Sequence, residues 1–440
     1  MRYFLRTSGP IPRDFSHIQR IVVRLLAAVL IFGGLGSCAE IPKQDMIDCD
    51  GGNNTSASAR YRGSRGNAPP GHVSKLPIRT LLYPGAQTRI YTRYMPWFGD
   101  PHHRDVGYRS DDAQQIARQV ADMKSRGIQG AIVDWYGPRS GSKNDSTIQL
   151  MREAERQGFE FAISEDAGAL SDCKQPGCDV TGHIMSDLQY VANRFETSIA
   201  YARFEGRPAV FFFGLEKYAI DWQRVRQSLP LKPLFFFRNS GSFADPNADG
   251  AYAWIAPETA TSNDPMGLQY LQRFYSKAQT SSKIAMGSAY KGFDDAEAGW
   301  GKGRVIDQQC GHTWLSTFVE VSRFYSAKNQ LRALMIPTWN DYEEGTEIET
   351  GVENCVRIQG RLTAGTLSWS ISGPEDTVDH YAVLAKHGSE WIEAAEVRPG
   401  THSIGLAELR LSGKPVVFCV EAVGQASMLN HFSGPIENPR

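Results

Sequence analysis

The chain has 440 residues, a formal net charge of -1 and 22% charged residues. That length is too great for one ordinary core and suits a barrel of about 250 residues followed by a module of about 90. The near-neutral balance excludes the basic field that nucleic-acid binding requires, so polyanions are not expected partners.

Arg2, Arg6, Arg13, Arg20 and Arg24 precede the apolar run from Leu25 to Phe32, the layout of a secretory signal. The run is too short to span a bilayer. It ends in Leu35-Gly-Ser-Cys38, which resembles the lipobox of bacterial lipoproteins. The resemblance implies cleavage that leaves Cys38 as a lipidated N-terminus, with residues 1–38 as signal; the plainer alternative is a cleaved signal with Cys38 discarded. Lipidation predicts an exported protein on the cell envelope, held to a membrane by its N-terminal lipid alone, and the chain is expected to be a monomer. Six other cysteines remain, and an even number in an exported chain predicts disulfides. In Cys173-Lys-Gln-Pro-Gly-Cys178 the Pro-Gly turn favours a small stapled loop. No His or Cys group has zinc-ligand spacing, and His102-His103 reads as a polar loop, so neither metal nor cofactor is expected.

Residues 39–77 are poor in large apolar side chains and read as a tether that holds the folded part about 30 to 35 Å from its anchor. From Ile90 onward, short apolar runs alternate with stretches of helical periodicity. The runs are Ile90 to Trp97, Gly130 to Trp135, Phe159 to Ser164, Ala209 to Gly214, Pro233 to Arg238, Ala251 to Ile255, Ile284 to Tyr290 and Ala333 to Trp339. The clearest helix follows Ser110, read as its N-cap, while 238–250 carries no helix signal. Eight alternations predict an α/β fold, a (β/α)8 TIM barrel over 78–351, with its site at the C-terminal ends of the strands. Residues 352–440 have the alternation of a small all-β sandwich. That stretch resembles a fibronectin type III module, with Trp369, Tyr381 and Phe418 as core aromatics, and a carbohydrate-binding module is its functional alternative.

The chemistry concentrates at the end of the eighth run, where Asp341, Glu343, Glu344, Glu347 and Glu349 fall within nine residues, interleaved with Trp339, Tyr342 and Gly345. Taken alone, an acidic run is a solvated face. Directly after an apolar barrel strand, it places carboxylates and rings at the barrel mouth. Glycosidic cleavage needs one carboxylic acid to protonate the leaving oxygen and a second carboxylate to generate the attacking group. Asp341 and Glu344 are the candidate pair.

The segment Trp339-Asn-Asp-Tyr-Glu-Glu-Gly-Thr-Glu-Ile-Glu349 resembles the glycoside hydrolase family 99 segment Trp-Asn-Glu-Trp-His-Glu-Gly-Thr-Gln-Ile-Glu, and Asn-Asp-Tyr-Gly-Glu of family 71 is also close. Further similar stretches are Tyr94-Met-Pro-Trp97, Gly107 to Asp111, Gly127 to Gly137, and Gly292 to Asp295 followed by Arg304, so the likeness spans roughly residues 90 to 350. It implies action on an α-linked glycan, an α-mannoside for family 99 or an α-1,3-glucan for family 71. Matched by position, Asp341 takes the place of the family 99 glutamate that deprotonates the sugar 2-hydroxyl, and Glu344 that of the acid and later base. Asp for Glu shortens the reach by one methylene. The Asp agrees better with family 71, which implies inversion at the anomeric carbon.

The same resemblance places Glu165 where family 99 has an active-site glutamate, implying a subsite or electrostatic role. Tyr94, Trp97, Asp134, Trp135 and Tyr136 end the first two strands, where rings stack on pyranoses and a carboxylate accepts sugar hydroxyls. Tyr290, Asp294 and Arg304 read as a wall after the seventh strand, and Trp339, Asn340 and Glu349 as substrate contacts beside the pair. Two rivals belong to other classes: a non-catalytic glycan-binding envelope lipoprotein, and a structural envelope protein whose barrel only presents the β domain.

Overall fold

A computed structural model describes Cys49 and residues 72–437, apart from Lys174, Arg410 and residues 412–416. The signal with Cys38, and the tether up to residue 71 except Cys49, lie outside the described residues.

Eight parallel strands form the barrel: β1 (Arg89–Tyr94), β2 (Gly130–Trp135), β3 (Glu160–Asp166), β4 (Arg207–Phe213), β5 (Leu234–Arg238), β6 (Gly250–Tyr252), β7 (Ile284–Ser288) and β8 (Ala333–Ile336). Each pairs with the next, and β1 pairs with β8 in the register Arg89 to Ala333, which closes the ring. The strands are buried on both faces and read as continuous apolar runs, because side chains fill the barrel inside while helices cover it outside. Several runs predicted from sequence extend past the observed strands. Trp97 and Trp339 sit in the loops beyond β1 and β8, which is the face where a barrel site is built.

Among the described residues six α-helices pack around the ring: α1 (Ala113–Ser125), α2 (Ser142–Gln157), α3 (Val180–Arg194), α4 (Trp222–Gln227), α5 (Leu268–Gln279) and α6 (His312–Phe324). In α1 the residues Ile116, Gln119, Val120 and Met123 recur at helical spacing and are buried against the barrel. Its N-cap is Asp112, whose carboxylate accepts the Gln114 N–H, and not Ser110. Ser110 is buried, and its hydroxyl accepts the Phe98 N–H at 3.0 Å, so it shapes the loop after β1. Between β5 and β6 only a 3-10 turn at Ser240–Phe243 intervenes, in keeping with the absent helix signal.

No α-helix follows β8 among the described residues, and the chain passes into an antiparallel β domain. One sheet holds β9 (Arg357–Thr363), β10 (Thr366–Ser372) and β13 (Ser403–Gly405); the other holds β11 (Val378–His387), β12 (Glu390–Val397) and β14 (Val417–Gly424), with two short strands at 431–432 and 436–437. Trp369 of the first sheet packs with Tyr381 and Phe418 of the second in one buried cluster. The β domain is fastened to the barrel. The Trp314 indole donates to the Ala426 carbonyl at 3.0 Å, Val352 pairs with Met428, and Cys310 is bonded to Cys355.

Cys173 and Cys178 are joined, as the turn between them predicts, and Cys49 is bonded to Cys419. The stretch 39–77 is therefore not one free tether. Cys49 is buried against β14, and residues 72–77 belong to the packed body, with Val73 bridging to Leu429 and the Ser74 N–H bonded to the Met428 carbonyl. No helix among the described residues is long and apolar enough to cross a membrane.

Candidate active site

Beyond β8 the chain doubles back on itself. The Thr338 N–H meets the Thr346 carbonyl at 3.1 Å, the Thr346 N–H meets the Asp341 carbonyl at 3.1 Å, and the Ile348 N–H returns to Thr338 at 3.2 Å. The loop is also pinned to the end of β1. The Trp339 N–H bonds the Arg93 carbonyl at 2.7 Å, and the Asn340 amide both accepts from Met95 N–H at 2.8 Å and donates to Met95 carbonyl at 3.0 Å. Asn340 is thus a backbone clamp, and Trp339 is fully buried beneath the Arg126 guanidinium, so neither presents itself to a ligand.

The clamp aims Asp341 and Glu344 into one cleft of about 400 Å³ at the C-terminal mouth of the barrel. Asp341 is only 1% exposed, and its Oδ1 accepts the N–H groups of Glu343 at 3.0 Å and Glu344 at 2.9 Å. Burial, then the charge of Glu344, holds its carboxyl well above the usual range. Glu344 is half-buried and is also raised by burial, which the Trp300 indole N–H at 3.1 Å from Oε1 and the Arg304 charge oppose. Glu343 is not aimed at the cleft. Its carboxylate accepts from the Arg104 N–H at 2.9 Å and meets His103 Nδ1 at 2.9 Å, which secures the loop after β1.

Opposite the pair stand Asp134 and Tyr136 from the end of β2, and Asp166 from the end of β3. Asp134 is bonded to the buried Arg93 guanidinium and accepts the Tyr136 hydroxyl at 2.7 Å. Burial, then the charge of Asp134, pushes Asp166 up to about 7, while Arg93 pulls it down. Trp97, Phe213, Trp254 and Trp300 supply the apolar walls, and His103 stacks on Trp97 at 4.4 Å with the rings 5° apart. Past Tyr136 and Lys143 a smaller hollow of about 210 Å³ continues, bordered by Arg139, Ser140 and His183.

Several residues expected at the site lie elsewhere. Tyr94 is buried with its hydroxyl on Gln119, and Trp135 is buried with its indole on Asn144 and its ring against Tyr190. Glu165 is 0% exposed beneath the site, facing Asp187, and burial raises its carboxyl strongly. It pairs in register with Trp135, whereas Asp134 and Asp166 both reach the cleft, so alternation along the strands sends neighbouring residues to opposite sides. Tyr290 is buried with its hydroxyl on the Met266 carbonyl at 3.0 Å. Asp294 and Arg304 support the loop after β7 without lining the cleft; Arg304 grips Asp295 at 2.6 and 2.8 Å. Glu349 is fully buried and accepts from the Tyr342 hydroxyl at 2.7 Å, Gln119 at 2.7 Å and the Tyr108 hydroxyl at 3.0 Å, which makes it a core hub.

Arg93, Asp166, Trp254 and Trp300 line the cleft without having been singled out in the sequence, and His103, read there as part of a polar loop, lines it as well. Only Asp166 had a usable signal, as an acid at a strand end beside Glu165. In a strand buried on both faces, polarity does not reveal which of two adjacent carboxylates points inward.

The buried carboxyls give a pH dependence of stability. Asp166, Glu196, Glu349 and Glu421 are each raised to about 7, in every case chiefly by burial. Between the ordinary carboxylate range and 7 the folded state binds more protons than the unfolded chain, so stability falls as pH rises through that window. The melting temperature is expected to be higher at pH 5 than at pH 8, and Glu349→Gln to flatten part of that slope. Thermal unfolding followed by circular dichroism across this range checks it; a melting temperature that rises toward pH 8 contradicts it.

No family model matches the chain, and no curated protein matches it significantly. Among solved structures it is similar to the family 99 endo-α-mannosidase of Bacteroides thetaiotaomicron, in complex with bis-tris-propane, at 19% identity and a TM-score of 0.48, covering 60% of this chain and 87% of that one. A second structure of the B. thetaiotaomicron endo-α-mannosidase gives 18% and 0.47, with 60% and 88% covered. A glycoside hydrolase-like protein gives 13% and 0.45, with 60% and 87% covered.

Proposed function

We propose that the protein is a glycoside hydrolase that cleaves an α-linked glycan, an α-mannoside or α-glucan, with Asp341 and Glu344 as its catalytic carboxyls. The observation that carries this reading is the delivery of both to one aromatic-walled cleft at the C-terminal mouth of a closed parallel barrel. The cleft and the adjoining hollow have room for more than one sugar residue. Burial raises both carboxyls, and the charge of Glu344 raises Asp341 further. Two amide N–H groups on Oδ1 of Asp341 suit a carboxylate, while half-buried Glu344 is the member that meets solvent.

In the proposed step Glu344 gives its proton to the glycosidic oxygen as the bond from that oxygen to the anomeric carbon breaks. Asp341 takes a proton from the water that bonds to the same carbon. Asp341 is one methylene shorter than a glutamate and is tied to the backbone through Oδ1, which leaves space for that water and favours inversion. Proton NMR of the first product released from an α-linked oligosaccharide is expected to show the β-anomer. Initial release of the α-anomer contradicts inversion and assigns Asp341 to the 2-hydroxyl.

Glu344→Gln is expected to reduce turnover by about 10²- to 10⁴-fold on a substrate with a poor leaving group while glycan binding persists. A panel of α-mannans and α-glucans, assayed by product release and by calorimetry, checks this. Binding without turnover in the unmodified protein would instead identify a glycan-binding protein.

Lipidation at Cys38 belongs to the same proposal, with the cell envelope as the site of action. Cys38→Ser is expected to move the protein from the membrane fraction to the soluble one, since acyl chains would supply the affinity. Continued partition of the variant with membranes would assign retention to an uncleaved signal or a partner.

A further inference from the structure

The loop after β7 is a hairpin whose tip reaches the proposed acid. Phe293–Asp294 pairs antiparallel with Val305–Ile306, leaving residues 295–304 as the tip. The tip is held at its base and along its length. Asp295 accepts the Arg304 backbone N–H at 2.7 Å and its guanidinium at 2.6 and 2.8 Å, and Glu297 meets Arg104 of the loop after β1 at 2.8 Å. The chain reverses where the Gly301 N–H bonds the Ala298 carbonyl at 2.9 Å. A Cβ on Gly301 would lie 1.7 Å from the Asp295 carbonyl oxygen, so this reversal admits only glycine.

These constraints carry Trp300 to the rim of the cleft. Trp300 is 44% exposed, and its ring stands edge-on to Trp97 at 6.0 Å and to His103 at 6.1 Å. Its N–H donates to Oε1 of Glu344 at 3.1 Å, and the Asp294 N–H bonds the Glu344 carbonyl at 2.9 Å. One hairpin thus grips both the backbone and the carboxyl of the same residue.

We propose that Trp300 is a positioning residue for Glu344 and that its exposed ring is the stacking platform for the sugar on the leaving-group side of the scissile bond. This rests on the reading of Glu344 as the acid, because the group beside the acid is the one that departs. Aromatic faces bind pyranose rings through their apolar C–H surface, and an indole can do so while its edge N–H serves the carboxyl. The hydrogen bond favours the charged form of Glu344 and so opposes the upward shift that burial imposes, which eases proton delivery.

Trp300→Phe keeps a ring and removes the N–H, whereas Trp300→Ala removes both. If Trp300 acts as proposed, both substitutions shift the basic limb of the pH profile for kcat/KM to higher pH, because Glu344 then loses its proton later. Only Trp300→Ala also raises KM for a long α-linked oligosaccharide, by roughly tenfold, with little change for a substrate whose leaving group is a small non-sugar. A substrate-free readout runs in parallel: a pH-dependent step in tryptophan fluorescence is expected in the unmodified protein and is lost in both Trp300→Phe and Glu344→Gln. The proposal is overturned if the limb and the fluorescence step are the same in Trp300→Phe, or if Trp300→Ala weakens both substrates equally. Absence of hydrolysis by the unmodified protein on every α-glycan would refute the hydrolase reading, and the fluorescence step would still decide whether Trp300 and Glu344 are coupled.

Discussion

Everything at the mouth of this barrel depends on the hydrogen bonds that tie the loop after β8 to the end of β1. The Asn340 amide occupies both polar groups of Met95, and the Trp339 N–H takes the Arg93 carbonyl. A buried backbone group left without a partner is costly, so this pairing admits few other paths for the chain. It completes the ring where β1 meets β8, and it makes the direction of Asp341 and Glu344 a property of the barrel and not of a loose loop.

A second layer supports the first. Trp339 lies under Arg126, whose guanidinium donates to the carbonyls of Ile348 at 2.6 Å and Glu349 at 2.8 Å. Glu349, at the far end of the acidic run, collects three donors from Tyr342, Tyr108 and Gln119. Lys291 and Glu347 form a buried pair at 2.6 Å on the other side of the same loop. Three of the five acids in the run, Glu343, Glu347 and Glu349, therefore build the platform on which Asp341 and Glu344 stand. The cleft itself gathers Asp134, Asp166, Asp341 and Glu344, with the Arg93 guanidinium buried between Asp134 and the rings of Phe213 and Trp254. Burial holds the carboxyls of Asp166, Asp341 and Glu344 above the ordinary carboxylate range.

The β domain is bound to the barrel through the Trp314 indole, the Val352 bridge and the Cys310–Cys355 bond, so the two form a continuous packed body. The Cys49–Cys419 bond fastens the N-terminal stretch to β14.

The sequence by itself determined the architecture: eight apolar runs alternating with helical periodicity, then a period of two, because burial against helices or against a second sheet imposes those repeats directly on the residue order. It also determined that carboxylates gather at the end of the eighth strand, and that Cys173 faces Cys178 across a Pro-Gly turn. Only the tertiary structure decided which acids face the cleft. Asp166 does and Glu165 does not, because in a strand buried on both sides the facing is set by register and closure, and polarity leaves no mark of it. Only the tertiary structure, likewise, turned Tyr94, Trp135, Tyr290, Trp339 and Glu349 into core, since an aromatic or an acid at a strand end has the same letter whether it meets a ligand or another side chain. Trp300 shows the converse. It lies 44 positions from Glu344 in the chain, and a hairpin held by Asp295 and Arg304 brings them within hydrogen-bond distance, a juxtaposition that no local pattern encodes.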